Sequence, residues 1–163
     1  MREGGREENY PREMYSPTAN FVAGQLVACY ENSCEKYNAD DKSWTKIADT
    51  RSRRIYHSSA QHEDRILLIG GRDSSSTEWI STDGGEPQAG PWSVRHRERH
   101  CTIQVSSDLI VVTGGRYTYD YVTEYQLTGD ATETVMTSLI TGRAGHACGV
   151  YREAGGQQVR ISW

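Results

Sequence analysis

A single phenylalanine stands against ten tyrosines and four tryptophans in these 163 residues. Aromatic rings that carry a polar atom suit strand ends and loop rims better than a dry interior, so a large phenylalanine-packed core is excluded. Long apolar runs are missing too. Runs such as Ile66 to Ile69 and Leu109 to Val112 fall far short of the ~20 residues that span a bilayer as a helix. The opening stretch Met1-Arg2-Glu3-Gly4-Gly5-Arg6-Glu7-Glu8 lacks the apolar centre of a secretion signal. The expectation is therefore no membrane association and a cytoplasmic location, or an extracellular one if the N-terminus is incomplete. Positive charge is not in excess: 18 Lys and Arg against 22 Asp and Glu leave a net charge of -4, which argues against nucleic acid as partner. Cysteine is scarce, with Cys29, Cys34, Cys101 and Cys148 too few and too irregular for a disulfide-dense mini-domain. Cys29 and Cys34 have no histidine at a zinc-binding distance, so neither metal nor cofactor is expected.

What is present is glycine, sixteen of them, and short β-branched runs flanked by Gly, Ser, Asp and Asn. These predict an all-β chain. The runs repeat. Glu35, Glu78 and Glu124 each precede a histidine by twenty-two residues, at His57, His100 and His146. Each histidine follows an arginine by three, at Arg54, Arg97 and Arg143. The period is 43 residues and then 46, the length of one four-stranded propeller blade. After His57 come a turn at His62-Glu63-Asp64, the strand Arg65 to Ile69 and the pair Gly70-Gly71. After His100 come Ser106-Ser107-Asp108, the strand Leu109 to Thr113 and Gly114-Gly115.

In Gly70-Gly71 with Glu78-Trp79 and Trp92, and in Gly114-Gly115 with Glu124-Tyr125, the chain resembles the kelch repeat. Glu35-Lys36-Tyr37-Asn38 with Trp44 supplies the end of an earlier unit. The resemblance covers about residues 22 to 163. It implies an incomplete kelch-type β-propeller of four-stranded antiparallel blades, about two full blades plus partial blades. The units run approximately 21–56, 57–99, 100–145 and a truncated 146–163, after a polar, flexible lead at 1–20 bearing Pro11 and Pro17. Two departures stand out. Ala28-Cys29 occupies the expected double-glycine position of the first unit, and Val135 stands where a third Trp is due.

The repeated residues read as structural. A double glycine after an apolar strand lets a neighbouring chain approach closely, and no helix follows either pair to make a phosphate-binding loop. Trp44 and Trp92 are expected to cover the lines between blades. His57, His100 and His146 bond backbone at strand starts, while Arg54, Arg97 and Arg143 meet the repeated glutamate of their own or the adjacent blade. No catalytic set emerges. Ser74-Ser75-Ser76 lies in a turn without a nucleophile elbow, and no histidine has a partner for acid/base work, so the chain is read as no enzyme. Galactose-oxidase-like relatives of the kelch fold carry copper and a tyrosyl radical, whose ligand cluster has no counterpart here.

In a four-stranded antiparallel blade the loop between the second and third strands shares one end with the crossing to the next blade. That end collects Arg51, Arg53, Arg54, Arg72, Arg95, Arg97, Arg99, Arg116 and Arg143, relieved by Asp49, Asp73, Glu98 and Asp120. The opposite end collects Glu63, Asp64, Asp83, Glu86, Asp130, Glu133 and Glu153 against Arg152. An acidic chain thus has one basic face. Its partner-binding candidates are Arg72, Asp73, Arg95, His96, Arg99, Arg116, Tyr117, Tyr119 and Asp120, suited to an acidic peptide because Arg and Tyr make good interface anchors.

The reading favoured is a protein-protein interaction module, a scaffold presenting loops to a partner, and the expectation is that it is a fragment of a longer protein. The alternative is a secreted or surface galactose-oxidase-like or carbohydrate-binding propeller. For that alternative Cys101 and Cys148, near their histidines in neighbouring units, leave a bridge and two free thiols both open. An unclosed ring also leaves blade faces bare. Some 300 Å² of wet apolar surface per face forgoes about 7 kcal/mol. Self-association or further blades would close it.

Overall fold

The computed structural model describes residues 16–128, 133–136, 138–152 and 159–162. Much of the lead, the turn from Arg152 to Gln157 beyond its first residue, Asp130, Glu153 and Trp163 lie outside the described residues. The described residues hold strands and turns and no helix.

Strands β1 (Thr18–Val22), β2 (Gln25–Asn38) and β3 (Ser43–Arg54) form the first sheet, in that order. Strands β4 (Ser58–His62), β5 (Arg65–Ile69), β6 (Ser76–Ser81) and β7 (Gln88–Ser93) form the second. Strands β8 (Cys101–Gln104), β9 (Leu109–Thr113), β10 (Val122–Gln126) and β11 (Glu133–Val135) form the third, and β12 (Gly149–Arg152) pairs with β13 (Val159–Ser162). Every pairing is antiparallel between chain neighbours. This is the up-and-down blade that the repeat predicts.

The first sheet holds more than the sequence suggests. Its first strand starts at Thr18, inside the stretch read as lead, so the first unit begins before residue 21. Residues Gln25 to Cys29 of β2 pair with β1, whereas Glu31 to Asn38 pair with β3. Between these halves the chain doubles back: the Cα atoms of Cys29 and Cys34 lie 4.1 Å apart and the two residues form a disulfide. Five residues of straight strand would cover roughly 17 Å. The sheet therefore has four extended stretches, like its neighbours, with a shortened turn closed by a covalent bond.

Register corrects two other readings. Thr18 pairs with Cys29 as Ser58 pairs with Ile69 and Cys101 with Thr113, so Tyr30-Glu31, not Ala28-Cys29, occupies the double-glycine position. Glu78 pairs with Leu68, two residues before Gly70, and the matching position opposite Val112 is Thr123, not Glu124. Glu124 is one residue out of step, and alternation turns it to the other side of its sheet.

Apolar residues of β5 serve two cores in turn. Ile66 and Leu68 pack with Val22, Val27, Cys29, Cys34, Ala48 and Ile80 against the first sheet. Leu67 and Ile69 pack with Ala60, Trp79, Val94, Ile110, Val112, Tyr125 and Leu127 against the third. A strand covered on both faces reads as an unbroken apolar run, which is why Ile66 to Ile69 shows no alternation. Trp92 does lie on the line between sheets, 4.6 Å from the Tyr125 ring and against the second core. Trp44 instead sits beside Tyr37 of its own sheet at 5.2 Å.

Both double glycines adopt positive φ, as the strand-to-loop turn demands. A Cβ on Gly114 (φ +58) would stand 2.5 Å from the Arg143 carbonyl and 2.8 Å from His146 Cε1. Gly24 (φ +77) faces open space. Gly114→Ala is therefore expected to lower unfolding free energy by about 2 kcal/mol or more, through strain plus collision, and Gly24→Ala by about 1 kcal/mol, through strain alone. Urea denaturation of the two variants measures the difference, and equal losses would contradict the close approach at Gly114.

Candidate functional site

The loops after β5 and β9 and the crossings between sheets are stitched together at one end of the molecule. Arg72 N donates to the Ile55 carbonyl at 2.7 Å, Gly71 N to Arg97 O at 3.0 Å, and Arg116 N to Glu98 O at 2.8 Å. At the other end His62 Nδ1 meets the Ser107 carbonyl and Thr82 Oγ1 donates to Asp64 O. Loops thus sort into two ends as the antiparallel order requires.

Each crossing turns on the residue before its histidine. Tyr56, Arg99 and Gly145 all take left-handed backbone, at φ 61, 56 and 71. Glycine occupies one of these positions and side chains the other two, so two strained residues project Tyr56 and Arg99 onto the face.

Glu98 organises the centre. It is 1% exposed, and its carboxylate accepts from Arg72 Nε at 3.0 Å and Arg116 Nη1 at 3.1 Å. Burial pushes its carboxyl up, yet the hydrogen bonds and charges of Arg72 and Arg116 outweigh that and hold it below the ordinary glutamate value. Both arginines are correspondingly raised, first through their bonds to Glu98. Above this clamp Tyr56 lies under two guanidinium groups, Arg99 at 4.3 Å and Arg72 at 4.9 Å from its ring centre. The Arg99 hydrogen bond and then its charge lower the Tyr56 phenol.

The nine partner candidates divide accordingly. Arg72 and Arg116 are spoken for by Glu98. Asp73 reaches Arg53 at 4.0 Å, and Asp120 is half-buried with its carbonyl accepting from Leu139 N. Arg95 and Arg99 are exposed, and neither has an ion pair among the described residues. Arg95 stacks on Tyr121 at 5.0 Å. His96 meets the Tyr117 ring edge-on at 5.1 Å, beneath which Arg116 lies at 5.5 Å. Tyr117 and Tyr119 are 63% and 50% exposed. Three arginines read onto this face contribute little to it. Arg54 and Arg97 are fully buried, and Arg143 is half-buried with Nε donating to Thr141 O.

Sequence reasoning missed Glu98, taken as a relieving charge, and did not single out Tyr56 and Tyr121. Tyr56 had a signal, as the residue before a repeated histidine between two arginine-rich loops. On the acidic face Asp83 and Glu86 lie at the surface. Among the described residues no group of three His, Cys, Asp or Glu is placed to hold a metal ion.

The repeated histidines are structural bonds. His57 Nδ1 donates to the Arg54 carbonyl at 2.9 Å, which leaves Nε2 to accept from Thr18 Oγ1 at 3.0 Å. His100 Nε2 meets Ser58 Oγ at 2.6 Å, and His146 Nε2 meets Thr113 Oγ1 at 2.9 Å. Burial pushes His57 down to about 4 and His100 down to about 3, and lowers His146 as well.

No family model matches the sequence. Fifty-seven residues, 35% of the chain, are 35% identical to beta-scruin of Limulus polyphemus and cover 6% of that protein. The fold is similar to that of YjhT, with a TM-score of 0.69 over 82% of this chain, at 14% identity. The chain spans 55% of that structure, and a small part of the curated relative. At this identity the likeness concerns the fold: all-β, with the antiparallel four-stranded sheets of a kelch-type propeller.

The buried histidines make stability depend on pH in a definite direction. Both are neutral in folded and unfolded chains above pH ~6.5, so their full contribution is present there. As pH falls, the unfolded chain takes up protons that the folded chain refuses, until the folded values of about 4 and about 3 are reached. Unfolding free energy should therefore drop between pH 6.5 and 4, by up to about 1.4 kcal/mol per pH unit for each histidine. His57→Asn should flatten that slope in a urea series. An unchanged slope would show that the histidines titrate normally.

Proposed function

We propose that the chain is a non-catalytic protein-interaction module that docks an acidic peptide on the face built around Glu98. The observation that carries this reading is the division of charge among the arginines. Glu98 holds Arg72 and Arg116 rigid, while exposed Arg95 and Arg99 stand beside Tyr56, Tyr117 and His96 without a carboxylate among the described residues. Rigid aromatic anchors flanked by uncompensated cations match a partner that brings carboxylates. The propeller fold supports the same reading at a coarser level, since its loops are free to vary on a regular scaffold.

The second reading, a secreted or surface propeller that binds carbohydrate, is favoured by two disulfides. Cys29–Cys34 closes the tight turn of the first sheet. Cys101–Cys148 joins β8 to the residue before β12, with Cα atoms 6.0 Å apart. Such bonds persist in oxidising compartments and are rare in the cytosol. The exposed Tyr117 and Tyr119 rings would then serve as sugar platforms.

Arg95→Glu with Arg99→Glu should slow association with an acidic peptide about tenfold at low salt, and salt should slow the unmodified chain likewise. Asp83→Lys with Glu86→Lys should leave it unchanged. Biosensor kinetics over a salt series measure this, and a loss confined to the acidic-face pair would refute the assignment. Reversing Arg116 would be uninformative, because it strips a bond from a buried carboxylate. Thiol titration under denaturing conditions bears on the compartment: protein from its native source should show no free thiol until reductant is added. Four reactive thiols without reductant would place the chain in a reducing compartment.

A further inference from the structure

One side of the first sheet is accounted for. Thr18 and Asn20 bond His57 and Ser59 of the second sheet, and Val22 and Cys34 join the core between the two sheets. Alternation sends Ala19, Phe21 and Glu35 to the opposite side. Phe21 is 68% exposed there, but Glu35 is only 9% exposed. Its Oε1 accepts from the Tyr30 hydroxyl, and its Oε2 is buried with no hydrogen-bond partner. Lys46, opposite Glu35 on β3, is turned to Asp49 instead. A carboxyl oxygen buried without a hydrogen-bond partner is costly, so this one marks an unfilled contact.

The second sheet shows what fills it. Glu78 holds the matching place in its sheet: it follows Thr77, the partner of Ile69, as Glu35 follows Cys34, which the disulfide joins to Cys29. It receives Arg54 Nη2 at 3.2 Å and Arg51 N at 2.9 Å, both from the sheet before it. Arg54 stands four residues before the first residue of β4, and Arg97 four before that of β8. The residue four before Thr18 is Met14. Glu35 thus has the acidic half of a repeated contact, and the sequence of this chain puts no arginine at the other half.

We propose that Glu35 is a socket for a guanidinium group, filled by an arginine on the outgoing crossing of a further propeller blade packed against β1–β3. The planar, forked donor set of arginine suits a carboxylate with one oxygen already bonded to Tyr30. Phe21 supplies apolar surface on the same side of the sheet. This site lies on the side of the first sheet turned away from the second, apart from the crossing that carries Arg95 and Arg99, and it stands or falls apart from the function proposed above.

The full chain provides the test. Glu35→Gln should leave the urea midpoint unchanged or raised, because no partner is lost, whereas Glu78→Gln should lower it. L-Argininamide should raise the melting temperature by a few degrees more than L-lysinamide at matched ionic strength. Glu35→Gln should abolish that difference, and so should Glu35→Asp, which keeps the charge but withdraws it by one methylene. A midpoint that falls in Glu35→Gln as far as in Glu78→Gln would overturn the proposal, since the carboxylate would then be paired already. Equal responses to the two amides, or a preference that survives in Glu35→Gln, would overturn it too.

Discussion

The arginines that follow the first and second sheets, Arg54 and Arg97, make their bonds in the next one, and the assembly of these three sheets depends on that. Arg54 donates to Gly70 O at 2.9 Å, to Ser76 O at 2.7 Å, to Ser76 Oγ at 2.7 Å and to Glu78 at 3.2 Å. One side chain thereby fixes both ends of the neighbouring loop, from the double glycine to the start of β6. The apolar cores are non-directional and would tolerate sliding of one sheet on the next, but a fully buried fork of donors does not. Arg97 repeats the device, donating to Thr118 Oγ1, Val112 O and Thr123 Oγ1. Carboxylate and threonine thus answer the same geometric demand. Leaving a buried guanidinium without acceptors is what the position cannot tolerate.

The double glycine belongs to the same arrangement. Gly70 N and Gly71 N bond Ser76 O and Arg97 O, while Gly114 N and Gly115 N bond Tyr121 O and Arg143 O. Each pair runs so close beneath its own outgoing crossing that a side chain would strike the backbone carbonyl there. The first sheet departs from this by shortening its turn. With Cys29 bonded to Cys34, the chain reverses over residues 30–33, where the second sheet uses 70–76. Tyr30 then fills the space and turns its hydroxyl to Glu35. A disulfide and a tyrosine replace a loop.

Period and residue type made much of the fold legible before any coordinates. Arg-x-x-His, the double glycines and the runs Ile66 to Ile69 and Leu109 to Val112 mark the crossings and second strands, and all fall where the repeat places them. The misreadings have local causes. Spacing alone could not tell Thr123 from Glu124, because a loop one residue longer shifts the face of every position after it. Ala28-Cys29 misses the double-glycine position by two residues because the turn that follows is shortened, which spacing along the chain does not reveal. Loop charge was the least legible feature, since sequence counts an arginine as basic surface whether it is exposed, like Arg95, or buried, like Arg97.

That last difficulty bears on how such a face recognises anything. Counting charges along the loops suggests a broad basic patch, but Glu98 offsets one of the two charges at its centre and Arg53 shares Glu31 and Asp73 at its edge. What survives is narrower: two exposed cations and a row of rings beside a centre whose two arginines share one carboxylate. A broad patch would attract any polyanion through long-range field alone. A pair of cations set among Tyr56, Tyr117 and Tyr121 rewards only a ligand that brings carboxylates at matching separation and flat or apolar groups between them. Burying Glu98 therefore trades field strength for geometry, and the same carboxylate that weakens the patch is what holds its remaining parts in place.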